Sequence, residues 1–327
     1  MLGELVNPYY VQVASFILIN IILGLSIYIT LASGQLSLGN AGFMAIGAYT
    51  SALLTVSAHL PLVVGVVCGT FFAGILGVLV GIPSLRLKGV HLAIATLGFG
   101  EVIRVILVNA GALTKGAIGI AGIPQLGREI LKGLQTFGFD PKTIGLANNE
   151  FVFLSIFLVL LVIVVFVVLF FVRQNRSRVG RAFAAIKMDE RAAETMGINV
   201  TYYKVLSFAQ GALLAGFAGA LYAHVLSYIN PGDFSYHRAV EILIFAVFGG
   251  SEVIVGSIFG AFFLTLLPEA LRFLADYRYI IYGVILILMM AFRPQGVIDA
   301  NMLRKIGALK STKRGEVGHG AASPKDQ

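Results

Sequence analysis

RQNRSRVGRAFAAIKMDERAAETMGINV, residues 173–200, is the long charged stretch of an otherwise apolar sequence. The 22 residues before it, FVFLSIFLVLLVIVVFVVLFFV, carry no charge. As a helix rising about 1.5 Å per residue, they would cross the roughly 30 Å hydrocarbon core of a bilayer. The charged stretch contains six basic residues: Arg173, Arg176, Arg178, Arg181, Lys187 and Arg191. Because basic residues beside a span favour the cytoplasmic side, the sequence predicts a membrane protein whose main cytoplasmic loop is residues 173–200.

The charged loop is also predicted to contain a short helix. Asp189 can cap a helix start, Glu190 then falls in the first turn, and Gly197 can end the helix. Ala192 and Ala193 are small enough to let another surface approach closely. We interpret this helix as a docking site for a partner. The alternative is a loop that only fixes the orientation of the chain in the membrane.

The composition agrees with a chain that lies mostly in lipid. Mean hydropathy is +0.90 and only 12% of residues are charged, against about 25% in soluble proteins. The net charge of +8 is concentrated, with seven basic residues between 173 and 204 and seven from 293 onward. This distribution indicates membrane anchors and excludes a nucleic-acid patch. A single cysteine, Cys68, excludes a disulfide framework and a cysteine metal site.

An interruption of the helical pattern follows the first predicted span, residues 9–32. Residues 33–42, SGQLSLGNAG, are rich in Gly and small polar residues, yet apolar spans flank them. Unwound backbone inside a membrane needs protein or a water-filled cavity to satisfy its hydrogen bonds, and transporters place substrate paths at such breaks. Candidates for lining a path are Gln35, Ser37 and Asn40. A tight hairpin at the inner surface is the alternative, and the two interpretations are compatible.

Two further spans are predicted at residues 62–82 and 89–111. In the first, small residues four apart predict close helix packing: Gly65, Gly69, Gly77 and Gly81. The second contains Thr96, another candidate for the path, and the charged residues Glu101 and Arg104. These two share one helix face, and charges inside a membrane need partners. A mutual or interhelical ion pair is one interpretation, and a substrate contact by Glu101 or Arg104 is the other.

A mixed segment and two more spans follow. Residues 111–150 carry both signs of charge and predict an outer loop with a short surface helix. Spans are predicted at 151–172 and at 202–226. The first of these is apolar all round, which predicts contact with lipid.

The last apolar region decides the topology. Residues 239–267 look like one span, but a single crossing would leave the basic C-terminus outside. Two short helices broken at 249–252 supply the additional crossing that keeps the C-terminus inside. Each of them must be covered by neighbours or line a cavity. With a final span at 279–293, the fold is all-α and polytopic, with about 8–9 membrane segments, the N-terminus outside and the C-terminus cytoplasmic. Residues 1–300 form one transmembrane domain, and 301–327 are predicted to be a disordered cytoplasmic tail.

Motifs for chemistry are missing from the sequence. It contains no GxxxxGK[ST] phosphate loop, no HExxH and no CxxC. We therefore predict that the chain is not an enzyme, that it has no ATPase motif of its own and that it binds no cofactor or metal. Its intramembrane residues do not form the chain of ionisable groups that a proton relay needs. Energy for uphill transport would have to enter through the docking helix.

Six stretches carry a family resemblance: SGQLSLGNAGFMAIGAYTSALL, LKGVHLAIATLGFGEVIRV, LTKGAIGI, RSRVGRAFAAIKMDERAAETMGINVTYYKVLSFAQGALLAGFAGALY, FGGSEVIVGSIFGA and FRPQGV. Together they cover roughly residues 20–300 and resemble the permeases of branched-chain amino acid ABC importers, LivM-type subunit. The family's usual LTGG stands here as LTKG, at residues 113–116.

The resemblance implies a multi-pass permease in a bacterial or archaeal cell (inner) membrane that imports Leu, Ile or Val. Its partners would be a second, LivH-type permease, two cytoplasmic ABC ATPase subunits that hydrolyse ATP, and an extracytoplasmic substrate-binding protein. The ERAAETMG segment matches the family's ATPase-coupling region. The residues expected to transmit the ATPase stroke are Asp189, Glu190, Arg191, Ala193, Glu194 and Gly197.

Other functions stay open from the residues alone. Related permeases carry urea, short amides or sugars, so another small solute is the first alternative. An ion-coupled secondary transporter would also use broken helices, and a structural membrane subunit would use none of the proposed path residues. Gln35, Ser37, Asn40, Thr96 and Glu101 are the residues on which these alternatives differ.

Overall fold

The computed structural model describes residues 7–84, 86–136 and 147–272, together with 277, 280–281, 283–284, 287–288, 291 and 296–298. The described residues form twelve α-helices: α1 (Pro8–Ala32), α2 (Asn40–Val56), α3 (Leu62–Ser84), α4 (Val90–Asn109), α5 (Gly111–Thr114), α6 (Leu126–Thr136), α7 (Asn148–Arg176), α8 (Arg178–Met188), α9 (Glu190–Thr195), α10 (Val200–Leu226), α11 (Tyr236–Gly249) and α12 (Ile254–Ala270). Two 3-10 helices, Gly116–Ile118 and Pro231–Phe234, and a two-stranded antiparallel sheet, β1 (Ile120–Ala121) with β2 (Tyr228–Ile229), complete them.

Five of these helices, α1, α3, α4, α7 and α10, are long and apolar enough to cross a membrane. Helices α2 and α12 are apolar but shorter. The chain is therefore an all-α membrane protein, as its hydropathy predicts. Most of the predicted last span, 279–293, and the predicted tail, 301–327, lie outside the described residues.

Helix α1 lies at the centre of the described bundle. It packs against α10, α12, α7 and α11, and 83% of its most apolar window is buried. Helix α7 differs, because only a third of its window is buried. Its uniformly apolar surface matches this exposure to lipid. The more apolar helix, α7 with a mean hydropathy of 3.6, thus lies at the lipid boundary, whereas α1 with 2.2 lies in the protein interior.

Glycines bring α2, α3 and α10 into direct backbone contact. A Cβ on Gly47 of α2 would lie 2.0 Å from the carbonyl oxygen of Gly216 in α10, and one on Gly69 of α3 would lie 2.6 Å from that of Gly47. A Cβ on Gly77 would lie 2.3 Å from the side chain of Ala212. The small-residue stripe predicted for α3 is thus confirmed as a packing surface.

The segment after α4 folds back onto the end of α10. The Tyr228 hydroxyl donates a hydrogen bond to the Ile118 carbonyl at 2.7 Å, and Ile120 pairs with Ile229. Lys115 adopts a left-handed backbone with φ of 58°. This is the position at which the resembling family has glycine, the residue that takes this conformation without strain. The predicted surface helix is present as α6 and packs on α7.

The predicted break between α11 and α12 is confirmed. The two helices pack against each other, and a Cβ on Gly260 of α12 would lie 1.9 Å from the Phe245 carbonyl oxygen of α11. The backbone N–H of Val297 donates to the Phe248 carbonyl at 2.9 Å, and that of Ile298 donates to Gly249 at 3.0 Å. Residues from the RPQGV stretch therefore satisfy carbonyl groups that the end of α11 leaves free.

Candidate functional site

The charged loop, residues 173–200, is called the inner loop below because it is predicted to be cytoplasmic. It contains two capped helices, α8 and α9. The Oδ1 atom of Asp189 accepts hydrogen bonds from the backbone N–H groups of Arg191 at 2.8 Å and Ala192 at 3.1 Å. Gly197 follows the helix end in a left-handed conformation, with φ of 82°. The predicted cap and helix end are therefore confirmed for α9.

Helix α8, which sequence reasoning did not separate from the loop, holds α9 in place. Ser177 caps its start by accepting from the Val179 N–H. The apolar residues Ala182, Phe183 and Ile186 are buried along one face. Their spacing, together with the Ser177 cap, was the signal for an amphipathic helix. The loop is consequently a packed structure that leaves only one side of α9 open.

Four of the predicted coupling residues are exposed in and beside α9. They are Asp189, Arg191, Glu194 and Gly197, and Met196 is also exposed, at 83%. Glu190 is partly buried, and Ala193 is only 4% exposed. Its small side chain lies on the side of α9 that packs against its own chain. The close approach predicted at Ala193 therefore occurs within the chain.

Glu190 connects α9 to two other parts of the protein. Its carboxylate accepts a hydrogen bond from Lys204 near the start of α10 and pairs with Lys88, before α4, at 3.0 Å. The Lys204 side chain is only 7% exposed. Burial alone would raise the pKa of Glu190, but the bonds from Lys204 and Lys88 outweigh it and lower the pKa below its ordinary value. The ionised carboxylate of Glu190 therefore attaches the N-terminal end of α9 to α10 and to the segment before α4.

The first break, residues 33–39, is filled by polar side chains of the chain itself. The Ser33 and Ser207 hydroxyls lie 2.7 Å apart, and both are within hydrogen-bond distance of Oε1 of Gln35, Ser207 at 3.0 Å and Ser33 at 3.3 Å. Gln35 and Ser37 are almost completely buried, at 3% and 1% exposure. The unwound backbone thus obtains its partners from protein.

The other two path candidates in and beside the break are buried too. The Asn40 amide donates to the Ser26 hydroxyl of α1 at 2.6 Å. The Leu38 N–H donates to the Thr96 hydroxyl of α4 at 2.9 Å, and Thr96 is 1% exposed. Four predicted path residues therefore hold the break closed in this conformation, and a path through them requires the break to open.

The inner loop and the first break touch each other. A Cβ on Gly34 would lie 3.5 Å from the Cα of Lys187, near the end of α8. Helix α10 also joins the two regions, because Lys204 bonds Glu190 and, three residues later, the Ser207 hydroxyl lies 3.0 Å from Oε1 of Gln35. Glu190 is thereby linked through Lys204 and Ser207 of α10 to Gln35. The two sites predicted separately from the sequence form one connected region.

Glu101 lies apart from this region. Its carboxylate pairs with Arg104 at 2.7 Å and accepts from the backbone N–H of Tyr236 at 2.9 Å. The mutual ion pair is the interpretation that the geometry supports. The bond to Tyr236 adds a role that the sequence did not indicate, since it places a negative charge at the first residue of α11.

The described geometry agrees with the comparison to protein families. A family model described as "Branched-chain amino acid transport system / permease component" matches residues 9–290. The chain belongs to this family. The match covers every α-helix whose bounds are given above except the first residue of α1.

The chain is also similar in sequence to individual transport permeases. The chain is 35% identical over 297 residues to the high-affinity branched-chain amino acid transport system permease protein LivM of Escherichia coli (strain K12), covering 88% of this chain and 69% of that protein. It is 27% identical over 207 residues to the permease protein LivH of the same organism, covering 62% and 63%. The fructose import permease protein FrcC of Rhizobium meliloti is 23% identical over 239 residues, covering 71% and 62%. No solved structure matches the chain.

Three residues of the connected region escaped sequence reasoning as functional residues. The sequence identifies Lys204 only as a membrane anchor and Lys88 only as part of a short basic turn on the inner side, and Ser207 carries no signal. Lys204 lies near the start of an apolar helix, directly after the paired tyrosines Tyr202 and Tyr203. A lone basic residue there is a signal for an inward-facing charge that needs a carboxylate partner.

Proposed function

We propose that this chain is the LivM-type permease subunit of an ATP-driven importer of Leu, Ile or Val. It would assemble with a LivH-type permease, two cytoplasmic ABC ATPases and an extracytoplasmic binding protein in the inner membrane of a bacterium or archaeon. The family membership and the names of the relatives support the substrate and the permease pair. The crowding of basic residues in 173–204 supports a cytoplasmic inner loop, and hence an outer N-terminus, a cytoplasmic C-terminus and about 8–9 membrane segments.

The coupling mechanism starts at the exposed face of α9. An ATPase subunit would bind Arg191, Glu194 and Gly197 and move the helix when ATP binds. Glu190 would pass this movement to α10 through Lys204, and the movement of α10 would pull Ser207 away from Gln35. Each hydrogen bond lost in the break changes the free energy by about 0.5–1.5 kcal/mol. A few such bonds suit a segment that must open and close in each transport cycle.

One observation carries this proposal: the inner loop and the first break are in contact and are also joined through α10. If the first break lay far from α9, a movement of α9 would reach the break only through some further structural element. The proposal is therefore tied to contacts that substitution can interrupt.

The experiment is leucine uptake into proteoliposomes that contain this chain, the second permease and the ATPases, with binding protein outside and ATP inside. Glu194→Lys and Gly197→Arg should reduce ATP-driven uptake at least about tenfold, because each places charge or bulk in the docking face. Arg128→Glu, a charge reversal on exposed α6, is the matched control and should transport normally. Both sets of variants should assemble equally.

Three results would contradict the proposal. Normal uptake by both α9 variants would mean that the loop only fixes the orientation of the chain in the membrane. Uptake by this chain alone on an ion gradient would identify a secondary transporter. Competition by urea, short amides or a sugar but not by isoleucine and valine would keep the coupling mechanism and replace the substrate.

A further inference from the structure

A cavity of about 580 Å³ with charged residues in its lining lies between α11 and α12. Its volume is within the roughly 300–1,000 Å³ of small-molecule sites. The lining residues are Asp233, Ser235, Tyr236, His237, Arg238, Val240, Glu241, Ile244, Leu264 and Pro268. The cavity lies at the ends of the two helices away from the second break, and Tyr236 at its edge is bonded to Glu101 of α4.

Arg238 is the central charge of this cavity. Its guanidinium donates to Oε2 of Glu241 at 2.6 Å and to Oδ1 of Asn20 in α1 at 2.6 Å. The Asn20 amide donates in turn to the Thr265 hydroxyl of α12 at 2.9 Å. The two bonds from Arg238 use two of the five N–H donors of a guanidinium, whose fork suits a carboxylate. Arg238 is therefore positioned by α1 and keeps donors for a ligand.

Glu241 gives the cavity the opposite charge. It lies three residues after Arg238 on the same helix face, and 43% of its side chain is exposed against 16% for Arg238. Charged residues inside a bundle are costly, and they mark the paths of polar substrates. A free α-amino acid carries a carboxylate and an ammonium on neighbouring atoms. The pair presents one complementary charge for each of these groups.

The cavity also has an apolar wall, formed by residues of both helices. Val240 and Ile244 follow one another along α11 at helical spacing, and Leu264 and Pro268 do so on α12. Such a wall suits an aliphatic side chain and offers no partner to a polar one.

We propose that the cavity between α11 and α12 is a binding site for the free amino-acid zwitterion, with its carboxylate on Arg238, its ammonium on Glu241 and its branched side chain on the apolar wall. The site rests on the proposed function, since it names the place where that substrate stops in the permease. Binding there is weak, because the ligand must compete with the existing bond between Arg238 and Glu241. Weak binding allows quick release along a path.

The single cysteine of the chain allows a direct test. Cys68→Ser removes it, and Val240→Cys then places one thiol on the wall of the cavity. The complete transporter is placed in nanodiscs without binding protein and labelled with a membrane-impermeant maleimide. Leucine at about ten times its dissociation constant should slow labelling about tenfold. Gln135→Cys in the same background, exposed near the end of α6, is the matched control and should label at an unchanged rate.

Two fragments of leucine and two variants test the assigned contacts. 4-Methylpentanoate lacks the ammonium and 3-methylbutylamine lacks the carboxylate, so each should protect far less than leucine. Arg238→Gln and Glu241→Gln should each abolish protection. Because Arg238 also bonds Asn20, labelling of Arg238→Gln is interpreted only if size-exclusion chromatography shows that the complex is intact. Glu241→Gln tests the site independently. Equal protection by the fragments, protection retained in Glu241→Gln, or no slowing by leucine would overturn the proposal.

Uptake by the Cys68→Ser complex separates this proposal from the transport function. ATP-driven leucine uptake without protection of Val240→Cys would overturn the site and leave the importer standing. Protection by leucine without any uptake would support the binding site and contradict the importer. Failure of maleimide to label Val240→Cys at all would show that water does not reach the cavity, which also overturns the site.

Discussion

The two breaks in the bundle are closed in different ways. The first, at residues 33–39, is filled by side chains that come from two other helices, α4 and α10, and from the break itself. The second, at 250–253, is closed by glycine backbones in contact and by backbone bonds from Val297 and Ile298. Side-chain hydrogen bonds can exchange partners singly, whereas interlocked backbones must move together. Under the proposed mechanism, the first break opens and the second holds its shape.

The largest expected effect lies in the second break. Gly260→Leu places side-chain atoms where a Cβ alone would be 1.9 Å from the Phe245 carbonyl oxygen. Relief requires α11 and α12 to separate, so we expect a loss of about 3 kcal/mol or more and little assembled transporter. Thermal unfolding in detergent measures it.

Gly98→Ala is the matched control for that substitution. No atom lies within 4 Å of a Cβ at Gly98 among the described residues, and alanine favours a helix by up to about 1 kcal/mol over glycine. Unfolding temperatures that fall equally in both variants would contradict the distinction between a tightly closed break and an open helix face.

The next effect lies in the ion pair that connects the loop to the first break. Glu190→Gln leaves the buried ammonium of Lys204 without its carboxylate, while Lys204→Met removes the buried charge itself. Because a third of the Glu190 side chain is exposed, we expect a loss of about 1–2 kcal/mol for Glu190→Gln and a smaller one for Lys204→Met. A double-mutant cycle on thermal stability gives the coupling, and additive effects would contradict it.

The same pair has a defined pH dependence. The pKa of Glu190 in the folded protein lies below its ordinary value of 4.5. Its stabilisation is therefore fully present above pH 4.5 and is lost as the pH falls through the lowered pKa. The stability difference between the wild type and Glu190→Gln should stay constant above that pH and shrink below it. A difference that instead grows on acidification would be inconsistent with a carboxylate held ionised.

The smallest effect on stability, and the most specific on function, lies in the first break. Gln35→Met keeps the side-chain length but removes the acceptor of Ser207, so we expect a loss of about 1 kcal/mol. The Ser33 and Ser207 hydroxyls still pair. ATP hydrolysis should continue while leucine uptake falls, because the break then follows α10 through the bond between Ser33 and Ser207 alone.

Thr70→Val serves as the control for Gln35→Met. It removes one hydroxyl bond within α3, from Thr70 to the Val66 carbonyl at 2.7 Å. Its uptake should equal that of the wild type at a similar cost in stability. If both variants lower uptake in parallel with stability, the first break has no special role in coupling.

Local signals made much of this architecture predictable. Both breaks, the Asp189 cap, the end of α9 at Gly197 and the packing stripe of α3 follow from glycines, caps and spacing that act within a few residues. The partners across the fold do not follow from such signals. Nothing near Lys204 in sequence identifies Glu190 as its carboxylate, and nothing in FRPQGV indicates that it meets the end of α11. Such pairings depend on how the helices pack.

The candidate site shows the same limit. Gln35, Ser37, Asn40 and Thr96 were identified as unusual from their polarity in an apolar region, and they are brought together in and beside the break. Their burial could not be derived, because it depends on Ser26 of α1 and Ser207 of α10, which are ordinary residues in ordinary spans. Glu101 was ambiguous for a related reason, since its second partner is a backbone group far along the chain.

The burial of α1 has a consequence for how the chain is made. This helix enters the bilayer early, yet α10, α11 and α12, which cover it, are synthesised much later. At about 5–20 residues per second, α1 spends roughly ten to fifty seconds surrounded by lipid, and its mean hydropathy of 2.2 makes this interval tolerable. Asn20 waits through the same interval for Thr265 and Arg238. Until α11 and α12 pack against α1, the Asn20 amide lacks these hydrogen-bond partners. Gaining them therefore favours the packing of the last helices.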